Sequence, residues 1–194
     1  MTLIGFKRMT IGIHGADGVI ATGKTFVIEG KQSEGATVSA EISGLSSDPV
    51  KVYGSNVAYY VLQKGTGDVS VDFGVLDMLE TVNDEILGYK LSTEGFAFIG
   101  DDTEPPYCSV ILESENLKGE TALLGFFRGK FAKESITMNT KEGENAEPEA
   151  DAYTFSVVSN DRDDESLGQS VIKYVGTENV AAFKSLVLNT TVVA

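Results

Sequence analysis

Alternating apolar and polar residues predict a chain built mainly of β-strands. The clearest signals lie between Pro105 and Val158, where residues 153–157 alternate aromatic or aliphatic side chains with Thr and Ser. A period of two is typical of a strand with one buried face. In this stretch, strands are predicted at 106–112, 121–131, 135–138 and 153–157. In the first half of the chain they are predicted at 6–13, 25–29, 36–42, 57–63 and 69–73.

The segment Thr121–Phe131 differs from the others because both of its faces are apolar. Leu123, Leu124, Phe126 and Phe127 are consecutive or nearly so. A strand with two apolar faces must be covered on both sides. One cover is the core of the chain, and the other is either a helix or a second copy of the protein.

Two helices are predicted, one at Leu76–Leu87 and one at Thr177–Leu188. Each has a helical apolar face, and Gly88 is expected to end the first. The residues of these faces are Leu79, Val82 and Ile86 in the first helix and Val180, Phe183 and Val187 in the second. Strands that follow one another in runs indicate a mainly β sandwich or barrel, with one or two short helices at its flank.

We expect one domain over residues 1–194, with a flexible arm at 1–5 and an acidic loop at 140–151. We read the segment 44–56 as irregular, with one helical turn beginning at Asp48-Pro49. The loop Lys64–Asp68 is predicted to close a hairpin between its neighbouring strands.

The charge balance restricts the partners of the chain. Fifteen basic and 29 acidic residues give a net charge of −14. This argues against stable binding to nucleic acid or anionic membranes, which depends on Lys and Arg. The N-terminus lacks the order of a signal peptide, and no apolar run approaches the ~20 residues of a membrane span. The single cysteine, Cys108, is read as a small buried side chain without a disulfide.

The sharpest motif match is Gly18–Thr25, which fits the phosphate-binding pattern G-x-x-x-x-G-K-[ST]. That pattern requires a helix after the loop. Residues 26–30 instead favour a β-strand that stops at a glycine, so a glycine-flanked strand or hairpin is the preferred interpretation. Nucleotide binding remains an alternative that nucleotide-dependent thermal stabilisation would detect.

Other chemistry-bearing residues are sparse. His14 is the only histidine and is read as a solvated loop residue, which confines histidine-dependent triads and metal sites to one position. The segment Asp161–Glu165 is read as a solvated charge run, because Ser166 stands where a calcium loop needs glycine. We therefore expect no enzyme, no metal and no cofactor. The absence of tryptophan weighs against a sugar-binding module.

Several short segments follow one another in an order that is characteristic as a set. They are Gly5–Gly12, Ile42–Leu45 with Asp48, Pro106-Tyr107 with Val110-Ile111 and Glu113-Ser114, Arg128–Phe131 with Ser135-Ile136, Glu147–Glu149, and Glu178–Phe183. With this set the chain resembles the major tail proteins, or tail tube proteins, of long-tailed non-contractile bacteriophages, particularly those of Gram-positive hosts. The resemblance supplies no catalytic residue.

The resemblance implies a structural protein of the virion tail, made and assembled in the host cytoplasm. Such a protein would form hexameric rings that stack into a tube, through which double-stranded DNA passes during ejection without specific binding. Its other partners would be tape-measure, tail-terminator and baseplate-type proteins. An acidic lumen would repel the phosphates of DNA.

Three segments are candidate contacts between rings: Gly44–Asn56, Lys64–Asp68 and Thr140–Asp151. We expect them to become ordered on assembly. The residues singled out are Asp48, Lys64, Thr66, Asp68, Glu142 and Glu147. Two other functions stay open, namely the inner tube of a contractile injection machine and a β-rich host-binding or glycan-binding virion module.

Overall fold

The computed structural model describes residues 2–140 and 148–189, and it confirms a mainly β fold with two short helices. The strands are β1 (Leu3–His14), β2 (Ile20–Ile28), β3 (Ala36–Ser43), β4 (Val50–Gly54), β5 (Val57–Leu62), β6 (Ser70–Leu76), β7 (Lys90–Leu91), β8 (Ala97–Phe98), β9 (Cys108–Asn116), β10 (Thr121–Ala132), β11 (Asp151–Val157) and β12 (Val171–Val175). The helices are α1 (Glu80–Leu87) and α2 (Val180–Leu188).

Eight of the strands form one antiparallel sheet. Its order is β2-β1-β9-β10-β11-β6-β3, and β12 pairs with β10 outside this path. The sheet curls so that β3, at one edge, reaches β1, which lies next to the other edge strand: Thr37 Oγ1 on β3 donates a hydrogen bond of 2.9 Å to the carbonyl oxygen of Phe6 on β1. The pairs β4-β5 and β7-β8 each form a separate two-stranded sheet.

The long strand β10 joins the two halves of the fold. On one side it pairs with β9, and on the other its first half pairs with β12 and its second half with β11. One face of β10 contributes Phe126 and Phe131 to the main core, where the centres of the Phe131 and Phe155 rings lie 4.6 Å apart. Burial of these apolar and aromatic side chains is the main stabilising term of the fold.

The opposite face of β10 is covered by α2. Leu123 and Phe127 pack there with Phe183, Val187 and Leu188 in a second buried cluster. The predicted double covering of this strand is therefore met by a helix of the same chain and needs no second copy. The apolar face predicted for this helix is confirmed at its two buried positions, Phe183 and Val187.

Both helices begin later than predicted. Leu76 ends β6, and α1 starts only at Glu80, after Asp77 adopts a positive φ of 50°. The predicted stop is confirmed, because Gly88 takes the left-handed conformation, with φ 69°, in which glycine is favoured. The second helix starts at Val180, three residues after the start predicted at Thr177.

Two predictions near the chain's loops are wrong. Residues 135–138 do not form a strand, and Ile136 and Met138 are exposed. No partner strand is paired with them in the described ranges, and strand propensity without a neighbour is insufficient. The arm expected at 1–5 also needs correction, since Leu3 and Ile4 pair with Asn116 and Glu115 at the start of β1. Most of the acidic loop lies outside the described residues, and Asp151 already belongs to β11.

Candidate functional site

The hairpin β4-β5 is the most unusual surface element of the chain. Its two-residue turn places Ser55 at φ 50° and Asn56 at φ 64°, the arrangement of a type I′ turn, whose twist suits a hairpin. Register pairs Val50 with Leu62 and Val52 with Tyr60 on one face. The hairpin therefore has a defined geometry although neither strand joins the main sheet.

Both faces of this hairpin are apolar and exposed. Tyr59 is 82% exposed and Tyr53 is 67% exposed. The other large apolar side chains of the element are exposed by half or more: Val50, Val52, Val57, Tyr60, Val61 and Leu62. A contiguous apolar patch of this kind is typical of a protein–protein contact. The hairpin is therefore the strongest candidate for an assembly surface.

The predicted hairpin between β5 and β6 is wrong, because β5 pairs with β4 whereas β6 pairs with β3 and β11. Lys64–Asp68 instead crosses from the projecting hairpin back to the main sheet. The segment 44–56 is not irregular throughout, since its second half forms β4. Asp48 and Pro49 precede that strand and start no helical turn.

Two loops lie side by side at the base of the hairpin. Gly67 N donates to the carbonyl oxygen of Gly44 at 2.9 Å, and Ser47 Oγ donates to the carbonyl oxygen of Lys64 at 2.9 Å. Gly44 has φ 72°, and a Cβ there would lie 2.0 Å from the Asp68 carbonyl oxygen, so a larger residue would force the loops apart.

The structure brings four of the six predicted contact residues to this base, and all four are exposed: Asp48, Lys64, Thr66 and Asp68. Glu142 and Glu147 lie outside the described residues. The sequence interpretation missed the apolar hairpin itself. The available signal was the pair of apolar runs on either side of Gly54-Ser55-Asn56, where Asn tolerates positive φ.

A second candidate surface is the outward face of β3, β6 and β11. Register aligns it in three rows: Ser39, Gly74 and Ala152; Glu41, Asp72 and Thr154; and Ser43, Ser70 and Ser156. These nine positions carry two carboxylates and no positive charge. Glu41 lies directly opposite Asp72. We call these nine residues the polar sheet face.

The β7-β8 hairpin also exposes apolar side chains. Phe96, Phe98 and Ile99 are each exposed by more than half, as is Leu91. This small element follows α1 and precedes β9, and so it lies apart in sequence from β4-β5. It adds a second apolar patch to the surface of the chain.

The segment Gly18–Thr25, which matches the phosphate-binding pattern, lies largely in a β-strand, as the preferred interpretation of the sequence predicts. Ile20–Ile28 is a strand, and no helix follows it. Lys24 Nζ lies 2.8 Å from both carboxylate oxygens of Glu85 on α1. The lysine that a phosphate loop would direct at a nucleotide is thus held by a carboxylate.

His14 is not the solvated residue that the sequence suggested. Its Nε2 lies 2.7 Å from Ser109 Oγ, and that hydroxyl donates to the carbonyl oxygen of Phe127 at 2.7 Å. Because the serine proton is committed to the carbonyl, the imidazole Nε2–H is the donor in the first bond. Burial, assisted by Arg162 and Arg128, lowers the pKa of His14 to about 4.

The acidic run Asp161–Glu165 is not only solvated, as predicted, but also forms ion pairs with arginines. Asp161 pairs with Arg128, and Asp164 lies 3.9 Å from Arg162 Nε. Within residues 2–140 and 148–189 no cluster of three or more His, Cys, Asp or Glu side chains is arranged to hold a metal ion. The predicted burial of Cys108 is confirmed, and burial raises the pKa of its thiol to about 12.

Exposed apolar hairpins such as these are typical of the class of proteins that assemble through contact with other proteins. The family model for phage tail tube proteins matches residues 1–192, and the chain belongs to that family. That family is structural and is not an enzyme family, so membership identifies the chain as a component of the virion tail. A comparison with curated proteins gives no match. Among the described helices, none has the length and apolar character needed to cross a membrane.

Proposed function

We propose that this chain forms stacked rings, hexameric in the finished tail, whose channel conducts double-stranded DNA during ejection. The observation that carries the proposal is the hairpin β4-β5, with apolar side chains exposed on both faces. Burial of apolar area is the main driving force for association. When a second copy covers this hairpin, burial of the apolar side chains stabilises the association. Membership of the tail tube family supports a tube as the form of the assembly.

The loops at the hairpin base fit a contact between rings. Asp48, Lys64, Thr66 and Asp68 are exposed and lie around a hydrogen-bonded pair of loops. A polar rim beside an apolar centre is the usual anatomy of an interface. Under this proposal the hairpin supplies the centre, and these four residues supply the rim.

The polar sheet face is our candidate for the channel lining. It has small side chains, no positive charge and two carboxylates, Glu41 and Asp72, in one row. Like charges opposite one another on a sheet reduce stability. In a channel lining this pair would have a function, because two adjacent carboxylates repel the phosphates of DNA, which then slides past without adhering.

Electron microscopy of the purified chain at high concentration tests the assembly. We expect rings or hollow tubes with a channel wide enough for duplex DNA. Particles without a channel would overturn the proposal. For the lining, tubes of Glu41→Lys are expected to retain DNA that wild-type tubes release, while tubes of the control Glu120→Lys behave as wild type. Equal release by all three would remove the polar sheet face from the channel.

A further inference from the structure

A cleft of about 600 Å³ lies at the end of β1, and its lining includes no residue of the polar sheet face or of the two apolar hairpins. It is lined by His14 and the loop after β1, by Pro106-Tyr107, by Arg128, by the segment 160–162 and by Asn189. Its wall contains two arginines and the only histidine of the chain. None of the functions proposed above uses this cleft.

Aromatic rings hold both guanidinium groups in place. The Arg128 guanidinium carbon lies 4.0 Å from the centre of the Tyr107 ring, and that of Arg162 lies 5.4 Å from the centre of the Phe127 ring. Asn160 Oδ1 accepts a bond of 3.2 Å from Arg162 Nε. Positioned guanidinium groups lose little conformational freedom when they bind an anion.

Arg162 is the less closely paired of the two arginines in a cleft whose lining also carries two carboxylates, Asp17 and Asp161. The nearest carboxylate, Asp164, is 3.9 Å away and accepts bonds from the backbone N–H and the hydroxyl of Ser166. Arg128, by contrast, is paired with Asp161. Arg162 Nη2 and Arg128 Nε also have no acceptor among the described residues. Both nitrogens are buried, so they indicate an excess of donors in the cleft wall and are not themselves the contact atoms.

At His14 the two arginines outweigh the nearby carboxylate. Arg162 and Arg128 oppose its protonation more strongly than Asp161 favours it. Asp17 is the other carboxylate of the cleft lining. The imidazole is therefore neutral at pH 7, and its Nε2–H is directed at Ser109.

We propose that this cleft binds an oxyanion, either a free inorganic one or a carboxylate of another copy, with Arg162 as its principal cation. Arginine matches the geometry of planar and tetrahedral oxyanions through paired N–H donors. The inference does not depend on tube formation, because the free-anion case is tested on the unassembled chain.

The single histidine makes a clean reporter for NMR. Sulfate, which stays ionised at pH 4, is added against chloride at equal ionic strength. We expect a saturable change in the His14 ring signals and a rise of about 1 in the pKa of His14. Arg162→Gln is expected to abolish both effects, while Arg162→Lys weakens them and the remote control Lys7→Gln leaves them unchanged.

A second series raises the protein concentration without added sulfate. The same ring changes in that series assign the site to a carboxylate of another copy, whereas a response to sulfate alone assigns it to a free oxyanion. The absence of a saturable response in both series overturns the proposal. A sulfate response that persists in folded Arg162→Gln also overturns it.

Discussion

Val187 on α2 packs directly against the bare backbone of Gly125 on β10. A Cβ at Gly125 would lie 2.6 Å from Val187 Cγ2, 3.0 Å from Ile172 Cγ2 and 3.1 Å from Phe183 Cζ. The helix can approach the strand this closely only because the residue has no side chain. The second core of the chain depends on this contact.

Gly125→Ala is expected to lower the free energy of unfolding by about 1–3 kcal/mol, because the added methyl group overpacks the site. Urea unfolding measures the change. Gly100→Ala is the matched control, since the nearest atom to its Cβ would be 3.8 Å away. An equal effect of the two substitutions would show that packing against α2 is not the cause.

Replacing Tyr59 and Tyr60 by Ser is expected to prevent assembly and leave the unfolding midpoint of the subunit almost unchanged. Both rings are exposed and contribute little to the core, so their loss should affect only the surface that the proposed assembly would bury. Electron microscopy and urea unfolding measure the two properties. Leu117→Ser is the control, because Leu117 is also exposed but lies in the β9-β10 turn. Normal tubes from the tyrosine variant would exclude the hairpin as the driving contact.

Glu41→Gln is expected to stabilise the subunit by about 0.2–1 kcal/mol at low salt, because it removes a like charge opposite Asp72. The gain should shrink as salt is added, since exposed charges are screened. Urea unfolding at two salt concentrations measures it. Glu134→Gln changes an exposed carboxylate outside the sheet and serves as control. A gain independent of salt would indicate a cause other than charge repulsion.

The subunit is expected to lose stability as the pH falls from about 6.5 to about 4. The pKa of His14 is about 4 in the folded chain and 6.5 in the unfolded chain, so the unfolded state binds more protons in this window. The contribution is complete above pH 6.5, and its upper limit is about 3 kcal/mol. His14→Gln removes the titration. The difference in unfolding free energy between the two proteins should therefore change between pH 6.5 and 4 and stay constant above pH 7.

Nucleotide with Mg²⁺ is expected to leave the melting temperature unchanged. Lys24 is paired with Glu85, and its segment is a strand without a following helix. Lys24→Ala should cost less than about 1 kcal/mol, because an exposed ion pair contributes little. Thermal melts of both proteins with and without nucleotide check this. A nucleotide-dependent rise that Lys24→Ala removes would restore the phosphate-loop interpretation.

The sequence predicted the core strands well because burial leaves a local pattern. Apolar residues on both faces of β10 indicated that both faces are buried, and the spacing of Phe183 and Val187 identified the helix that covers one of them. These signals depend on which residues are apolar and not on the path of the chain. That is why the fold class could be predicted before the pairing of strands was known.

Pairing was predicted less well, because a period of two does not name the partner of a strand. The pattern of residues 57–63 suited a hairpin with β6 as well as one with β4, and the type I′ turn at Ser55-Asn56 decides for β4. The apolar hairpin was missed as a surface for a related reason. A sequence pattern gives hydrophobicity but not exposure, which follows from where the rest of the chain lies.

The cover that α2 places on β10 separates folding from polymerisation. Since Leu123 and Phe127 are buried by the subunit's own helix, the core is complete in a single chain and requires no neighbour. Under the proposed assembly, growth would be the addition of folded subunits to an end, a process limited by the formation of the first ring. In such an assembly, a pool of folded subunits would wait for a template, and the template would determine where and when each polymer starts.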